Sequence, residues 1–576
     1  MADAPKSVPK QDVGIGSASV QGIAEGVADA ASKLANVALG KSDIQEPTAE
    51  KPSKEAPEGG KKKDPKADKK AERMAKREAQ AAAAKAATSE ADPLADNYGD
   101  MPTVQSQAKS GHKWTPVRTL TSALDKQEVL IRGRVHTVRA KGKSAFLVVR
   151  EGGATVQVAF FVDEKVVSKQ MVKYISGLSK ESIVDVWGVV SVPPEALAST
   201  TQQVELSGRK IYAVNKATPQ LPISVDDAAR SEQAIAEGEK KGEKYVRVSQ
   251  DTRLNNRSID LRTPANQGIF RIQSQVSQLF REYLLSQKFV EIHTPKLISG
   301  SSEGGASVFH LQYLGQPACL AQSPQLYKQM AIMADFGRVF EVGPVFRAEK
   351  SFTHRHLTEF TGLDFEMEIK EHYEEVLDVI DGLFVSIFEG INARCQEELE
   401  AVNSQYPYEP LQFLPQGCRI KFADGIQMLH EAGFKDADPH GDLSTELERE
   451  LGKLVKEKYH TDFYILTDFP IEARPFYTMP SPVDPRYTNS FDVFIRGEEI
   501  ISGAQRIHEP ELLTKRATEC GIDVKTISAY IDAFKYGALP HGGAGVGLER
   551  VVMLFLALNN IRKTSMFPRD PQRLTP

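Results

Sequence analysis

The sequence predicts a multidomain α+β protein: a small β-barrel, then a larger domain of helices and sheet, behind a polar N-terminal extension. Three observations predict it. The first 110 residues hold one aromatic, Tyr98; five β-rich runs separated by turn residues follow from Val129; beyond them helix-period and strand-period segments alternate to the end. At 576 residues the chain exceeds what one hydrophobic core usually supports.

Residues 1–110 are rich in Ala, Lys, Pro, Glu and Ser, too little apolar surface to offset chain entropy, and read as a flexible Lys/Ala-rich extension. Two helical islands stand within it: a stripe from Val20 through Ile23, Val27, Ala31, Leu34 and Val37, and a basic run from Lys61. A charge run is usually just solvated. Beside an RNA-handling domain the same run would add salt-sensitive attraction for phosphates. Formal net charge is −5, so any nucleic-acid contact depends on local patches rather than a global field.

The runs VLIRGRVHTVR, SAFLVVRE, TVQVAFFV, SIVDVWGVVSV and QQVELSGRKIYAV alternate apolar and polar, which places an OB-type barrel over 111–218. Arg139, Phe146 and Gln157 combine a cation, a stacking surface and an amide, the chemistry that unpaired bases require, although Phe146 alone reads as core. Residues 219–262 are polar and read as a hinge. Residues 263–576 open on Ile269, Ile272, Val276, Leu279, Phe280 and Tyr283 at helical spacing, ending near Gln287. FVEIHTPKLI then reads as a strand whose Pro295 confines it to an edge or a subunit contact.

The chemistry concentrates in RVFEVGPVFRAEKSFTHRHLTEFTGLDFEMEI. Alternation from Val339 puts Glu341, Arg347 and Glu349 on one face and Phe340, Val342 and Phe346 on the other; in the returning strand Phe360, Asp364 and Glu366 share a face. Such a hairpin suits the joining of a carboxylate to the α-phosphate of ATP. A planar, permanently charged Arg347 can hold both anions while Phe360 stacks on adenine, and catalysis is then mainly orientation plus electrostatics. FRAE alone also fits an ordinary surface hairpin. In LPHGGAGVGLERVVMLFLAL the glycines let backbone approach a ligand, and Arg550 sits near a helix start.

These segments, in this order, resemble the class II aminoacyl-tRNA synthetases of the aspartyl group (subclass b), in the form seen in the eukaryotic and archaeal cytosol. TPKLI resembles the first motif of that family, FRAE with RHLTEF the second, and GVGLER the third. The connection of about 180 residues between the second and third leaves no room for the large insertion of the bacterial form. The resemblance implies a catalytic domain with an antiparallel sheet flanked by helices, ATP as substrate, Mg²⁺, tRNA(Asp) and L-aspartate as partners, a homodimer with Pro295 at its interface, no membrane, and a cytoplasmic location.

Residue by residue, the resemblance implies that Arg347 binds the α-phosphate and the substrate carboxylate. Glu349 and Leu357 contact the nucleotide, Arg355 and His356 reach the β- and γ-phosphates, and Phe360 and Arg550 sandwich adenine beside Gly547. Asp492 and Glu499 correspond to the family's Mg²⁺ carboxylates, in keeping with the oxygen ligands this ion prefers. In EEIISGAQR, however, period two puts Ser502 and Arg506 on one face and Glu499 on the other, so either a bulge intervenes or Glu499 precedes regular pairing.

For the amino acid, the resemblance implies Ser302 and Glu303 on a mobile loop, with Gln325, Lys328, Arg347, Asp364, Ser502 and Arg506 around the ligand. Two converging cations, Lys328 and Arg506, would favour aspartate over asparagine. Lys328 equally fits a solvated helix surface, and SSEGGAS an ordinary turn. In the barrel, Arg139, Phe146, Gln157 and Glu205 become the anticodon contacts. An asparaginyl relative, a non-catalytic RNA-binding paralogue and an ammonia-dependent amidating enzyme are the alternatives. Composition adds that the four cysteines form no CxxC pair, that no apolar run is long enough to span a membrane, and that no leader pattern opens the chain, so a cytoplasmic address is expected.

Overall fold

The computed structural model describes residues 92–103, 109–301 and 308–576. The Val20–Val37 stripe, the basic run from Lys61, and Ser302 and Glu303 with their glycines lie outside the described residues.

Alternating apolar residues build the barrel. Strands β1 (Tyr98–Asp100), β2 (Glu128–Lys141), β3 (Ser144–Glu151), β4 (Ala154–Phe161), β5 (Ile183–Ser191) and β6 (Glu205–Asn215) run in the order β1-β6-β4-β3-β2-β5, and β5 also pairs with β6, closing the sheet. Leu147, Val149, Val156, Val158, Val184, Val186 and Ile211 point inward and are fully buried. The helix Lys169–Ser176, capped by the Ser168 side chain, adds Met171 and Ile175 to that core.

Two segments differ from the sequence reading. Residues 92–100, assigned to the polar extension, are part of the barrel: β1 pairs parallel with β6, the Tyr174 hydroxyl donates to Gly99 O at 2.7 Å, and Lys216 Nζ to Asp100 at 2.8 Å. Polar anchors hold this strand, so apolar periodicity does not reveal it.

The supposed hinge is the second. It folds into helices Val225–Ala229, Glu232–Lys240, Gln250–Asn255 and Arg257–Asp260, the first three capped by Ser224, Ser231 and Ser249. Ile223, Val225, Ala228 and Ile259 form a small core of their own. Arg257, buried, donates to Asp260 at 2.7 Å and to the carbonyls of Ser565 and Met566, each at 2.9 Å. Polar side chains fix this segment to the catalytic body.

Thr263 caps the long helix Pro264–Ser286, whose buried stripe runs from Ile269 to Leu284. It packs on an eight-stranded sheet. The strands are β7 (Val290–Glu291), β11 (Arg338–Phe346), β12 (Glu359–Glu368), β13 (Cys418–Lys421), β14 (Phe463–Thr467), β15 (Ser490–Ile495), β16 (Glu498–Gln505) and β17 (His541–Gly547). Their order is β13-β14-β15-β16-β17-β12-β11-β7, antiparallel except at the two outer pairings. β8 (Leu297–Ile298), β9 (His310–Tyr313) and β10 (Gln316–Leu320) make a separate three-stranded sheet.

The expected strand around Pro295 is therefore two pieces. β7 ends the large sheet, β8 joins the small one, and Pro295 lies exposed between them, where its missing N–H interrupts neither ladder. One face of the large sheet, with Phe340, Phe365, Val493, Ile501 and Val546, packs on helices Pro264–Ser286, Glu374–Arg394 and Leu548–Phe555. The opposite face is polar and carries a cavity.

Candidate active site

The cavity has a volume of about 380 Å³ and opens over β11, β12, β16 and β17. Among the expected residues, Gln325, Arg347, Glu349, Arg355, His356, Leu357, Phe360, Asp364, Glu499, Ser502, Arg506, Gly547 and Arg550 line it together. Lys328 sits behind this wall, and Asp492 lines an adjoining space of about 190 Å³ with Glu499 and Ser502.

Pairing of β11 with β12 delivers the first arginine. Arg347 follows β11, its N–H donates to Thr358 O at 2.9 Å, and its guanidinium stands 5.7 Å over the Phe360 ring. Arg550 lies in the first turn of the helix Leu548–Phe555, directly after the glycine strand β17; its Nη1 donates to Glu499 O at 2.9 Å and lies 3.6 Å from the Glu499 carboxylate. Between them the loop after β11 brings His356 within 3.6 Å of Glu349 and within 2.6 Å of Thr353 Oγ1; burial pushes the imidazole below its usual range despite Glu349. Arg355 is held by Glu448, 2.6 Å away on the helix Thr445–Tyr459. Burial raises that carboxyl to about 7 against the pull of Arg355.

The conflict at Glu499 resolves as a bulge. Val493 pairs with Ile501 but Phe494 with Glu499, so Ile500 is an extra residue in β16, and Glu499 and Ser502 reach the same cavity. Asp492 faces Arg474, whose Nη1 and Nη2 donate to its two oxygens at 2.8 and 2.7 Å. Burial pushes Asp492 up to about 6 against the pull of Arg474, and the nearby Glu499 charge acts in the same direction as burial.

Behind the cavity lies a desolvated charge array. Lys328, on the helix Gln325–Met333, is 1% exposed, so the solvated-surface reading fails. Its Nζ donates to Asp364 Oδ1 at 3.1 Å and to Ala544 O at 3.2 Å, and lies 3.4 Å from Glu366. Arg506 donates from Nε to Glu366 at 2.8 Å and from Nη2 to Gly543 O at 2.8 Å. Burial opposes the charge on Glu366, but Arg506 and Lys328 prevail and hold its carboxyl below the usual range.

On the barrel, Arg139 lies across from Phe146 and Gln157 across from Glu205, and the Gln157 amide donates to the Glu205 carboxylate. Phe161, which the sequence reading passed over, is 59% exposed and packs edge to face with Phe146 at 5.7 Å between ring centres. Within the cavity Gln322, Ser323, Arg474 and Tyr477 were likewise missed. Ser323 had one signal, its place in SPQLYKQ; Arg474 had none, because only folding brings it to Asp492.

An antiparallel sheet that offers two arginines, an aromatic platform and carboxylates to one cavity, joined to an OB barrel, is the architecture of a class II aminoacyl-tRNA synthetase. The profile of the class II tRNA synthetases (D, K and N) matches residues 249–571, and that of the OB-fold nucleic acid binding domain matches residues 129–214. The chain is 62% identical over 483 residues to the cytoplasmic aspartate–tRNA ligase 1 of Arabidopsis thaliana, covering 84% of this chain and 90% of that protein. It is 55% identical to the cytoplasmic aspartate–tRNA ligase of Homo sapiens, covering 84% and 95% respectively. A crystal structure of an aspartyl-tRNA synthetase described as putative, from Leishmania major Friedlin, superposes with a TM-score of 0.78 at 46% identity, covering 84% of this chain and 98% of that one. The chain belongs to the aspartate–tRNA ligase family.

Proposed function

We propose that the chain activates L-aspartate with ATP, releasing pyrophosphate, and transfers the aspartyl group to the terminal adenosine of tRNA(Asp) in the cytoplasm. In the first step an oxygen of the aspartate α-carboxylate attacks the α-phosphorus, and the bond to the pyrophosphate oxygen breaks. In the second a hydroxyl of the terminal adenosine attacks the aspartyl carbonyl and AMP leaves. The observation that carries this reading is the convergence of Arg347, stacked on Phe360, and Arg550 in one cavity.

Arg347 holds the two reacting anions together and stabilises charge that builds on the phosphoryl oxygens. Phe360 and Arg550 enclose the adenine beside Gly547, Glu349 and Leu357 border the nucleotide, and Arg355 and His356 take the pyrophosphate end. Asp364, Gln325 and Ser502 face the aspartate, and Ser302 and Glu303 would contribute contacts to it. Lys328 and Arg506 offset the buried charges of Asp364 and Glu366 and are the cations that favour a side-chain carboxylate over its amide. On the barrel Arg139, Phe146, Gln157 and Glu205 take anticodon bases, with Phe146 stacking.

The donor chemistry suits Mg²⁺. Glu499 and Asp492 supply oxygens beside the phosphate end, and Mg²⁺ typically takes one or two carboxylates and completes its shell with waters and substrate phosphates. Among the described residues no group of three such side chains is arranged for a metal. Bound there, Mg²⁺ would neutralise charge on the phosphates. Exposed Leu285, Val290, Leu297, Phe309 and Tyr313 around Pro295 suit the contact face of a homodimer, which sedimentation analysis would test.

Replacing Arg347 with Ala should reduce aspartate-dependent pyrophosphate exchange by at least about 1000-fold, roughly 4 kcal/mol, while tRNA(Asp) affinity stays within a few-fold. Unchanged exchange would remove Arg347 from the mechanism.

A further inference from the structure

A chain of buried polar groups runs behind the cavity and ends on Gln325. His541, fully buried at the start of β17, has Nδ1 at 2.7 Å from Leu539 O and Nε2 at 2.8 Å from Gln329 Nε2. Gln329, also fully buried, accepts at Oε1 from Gln325 Nε2 at 3.0 Å and from the Tyr530 hydroxyl at 2.9 Å.

These contacts leave one consistent arrangement of hydrogens. A carbonyl only accepts, so His541 carries its proton on Nδ1 and its Nε2 is an acceptor. Gln329 must then turn its NH₂ to His541 and its oxygen to Gln325 and Tyr530. Gln325 in turn spends its NH₂ on Gln329, and its own carbonyl oxygen points the other way. Reversing Gln329 would set its oxygen against His541 Nε2, which becomes a donor only if the ring takes a second proton or gives up Leu539 O. Burial holds the imidazole down to about 4, despite the Glu366 charge, so the second proton is absent at neutral pH. Tyr530, fully desolvated, keeps its phenolic proton and donates.

We infer that Gln329 and His541 are positioning residues that fix the amide of Gln325 with its oxygen toward the cavity, where it accepts from the α-ammonium of the substrate. The inference rests on the reading of this cavity as the aspartate site. A fixed acceptor discriminates by chemistry: it welcomes an ammonium and meets a carboxylate oxygen with repulsion, so it orients the amino acid end for end. Without the relay that orientation is no longer fixed, and the amide can turn its NH₂ toward the ammonium instead.

The test is a double-mutant cycle in pyrophosphate exchange, with KM for aspartate, KM for ATP and kcat measured separately for Gln325→Ala, Gln329→Met and the pair. Gln329→Met is close in volume and removes all three contacts, to His541, Gln325 and Tyr530. KM for aspartate should rise about tenfold, with KM for ATP and kcat within about twofold, and the rise should vanish in the Gln325→Ala background. His541→Leu should behave like Gln329→Met, while His541→Gln, which can still accept, should restore aspartate affinity to within about threefold. If His541→Leu does not fold, the Gln329 cycle decides.

An equal loss from Gln329→Met with and without Gln325 overturns the relay, as does an unchanged KM for aspartate or an equal rise for ATP. If Gln325→Ala itself leaves KM for aspartate unchanged, the assignment of the cavity fails first. The two failures are distinct.

Discussion

At the scale of single residues, the proposed selection of the amino acid would rest on charges that water does not reach. Lys328 pairs with Asp364 and, together with Arg506, with Glu366 from behind the cavity wall, and it is buried. Lys328→Met should cut kcat/KM for aspartate in exchange by about 100-fold, roughly 2.7 kcal/mol, and shrink the preference over asparagine. An unchanged ratio between the two amino acids would shift selectivity onto Arg506 alone. His541 supplies a pH dependence. Burial lowers its folded pKa from 6.5 to about 4, so the folded state binds fewer protons than the unfolded state between those values. Its stabilisation is complete above pH 6.5 and is lost as pH falls through 4, amounting to about 3 kcal/mol. Glu366, Arg506 and His508 are the charged and titratable groups around it. The thermal midpoint of His541→Gln should therefore fall less than that of the parent between pH 7 and 4.5; parallel curves would refute the assignment. Little of this was legible beforehand. The positions of Lys328 and Arg506 could be read from motif order, but the burial that gives them force arises from residues distant in sequence, from Asp364, 36 positions from Lys328, to Ala544, 216 positions from it.

At the scale of elements, the helix Thr445–Tyr459 ties together the end of the cavity lined by Arg355 and His356. Glu448 holds Arg355, and its neighbour Arg449 donates to Glu498 at 2.7 Å, which also meets His354 at 3.1 Å. Two consecutive helix residues thereby anchor two consecutive loop residues. Glycine makes this approach possible: a Cβ on Gly452 would stand 2.4 Å from Gly497 Cα, and Gly497 itself has φ +73°. Gly452→Ala should push the helix off the hairpin, cost about 1–3 kcal/mol of stability, and raise KM for ATP more than KM for aspartate. Melting curves and exchange kinetics would check both, and an unaffected KM for ATP would disconnect the helix from Arg355. Strands announce themselves by alternation of apolar and polar residues, which is why the barrel and the β11–β12 hairpin were readable, although the polar side of β12 is itself buried. The bulge at Ile500 appeared in sequence only as a contradiction between Glu499 and Ser502. The helices of 219–262 did not appear at all, because capping serines and paired Arg and Asp, rather than an apolar stripe, hold them.

At the scale of the whole molecule, barrel and catalytic body meet through Glu181. This residue, 4% exposed and in left-handed backbone at φ 68°, accepts from Arg150 of the barrel at 2.8 and 2.9 Å and from Arg262, at the threshold of the catalytic domain, at 2.8 Å. The strained backbone is tolerated where it aims one carboxylate at two arginines. Glu181→Gln leaves two cations facing a neutral amide, one of them buried, and should lower aspartylation of tRNA(Asp) at least tenfold while exchange without tRNA stays within twofold. Equal losses in both assays would mean that the contact merely stabilises the fold. The same contact predicts how the molecule meets dissolved ions. Phosphate recognition by surface cations weakens steeply with ionic strength, whereas a buried carboxylate between guanidinium groups is screened far less. Moderate salt should thus detach the RNA while both halves of the protein remain joined, so the enzyme can lose its substrate without losing its shape.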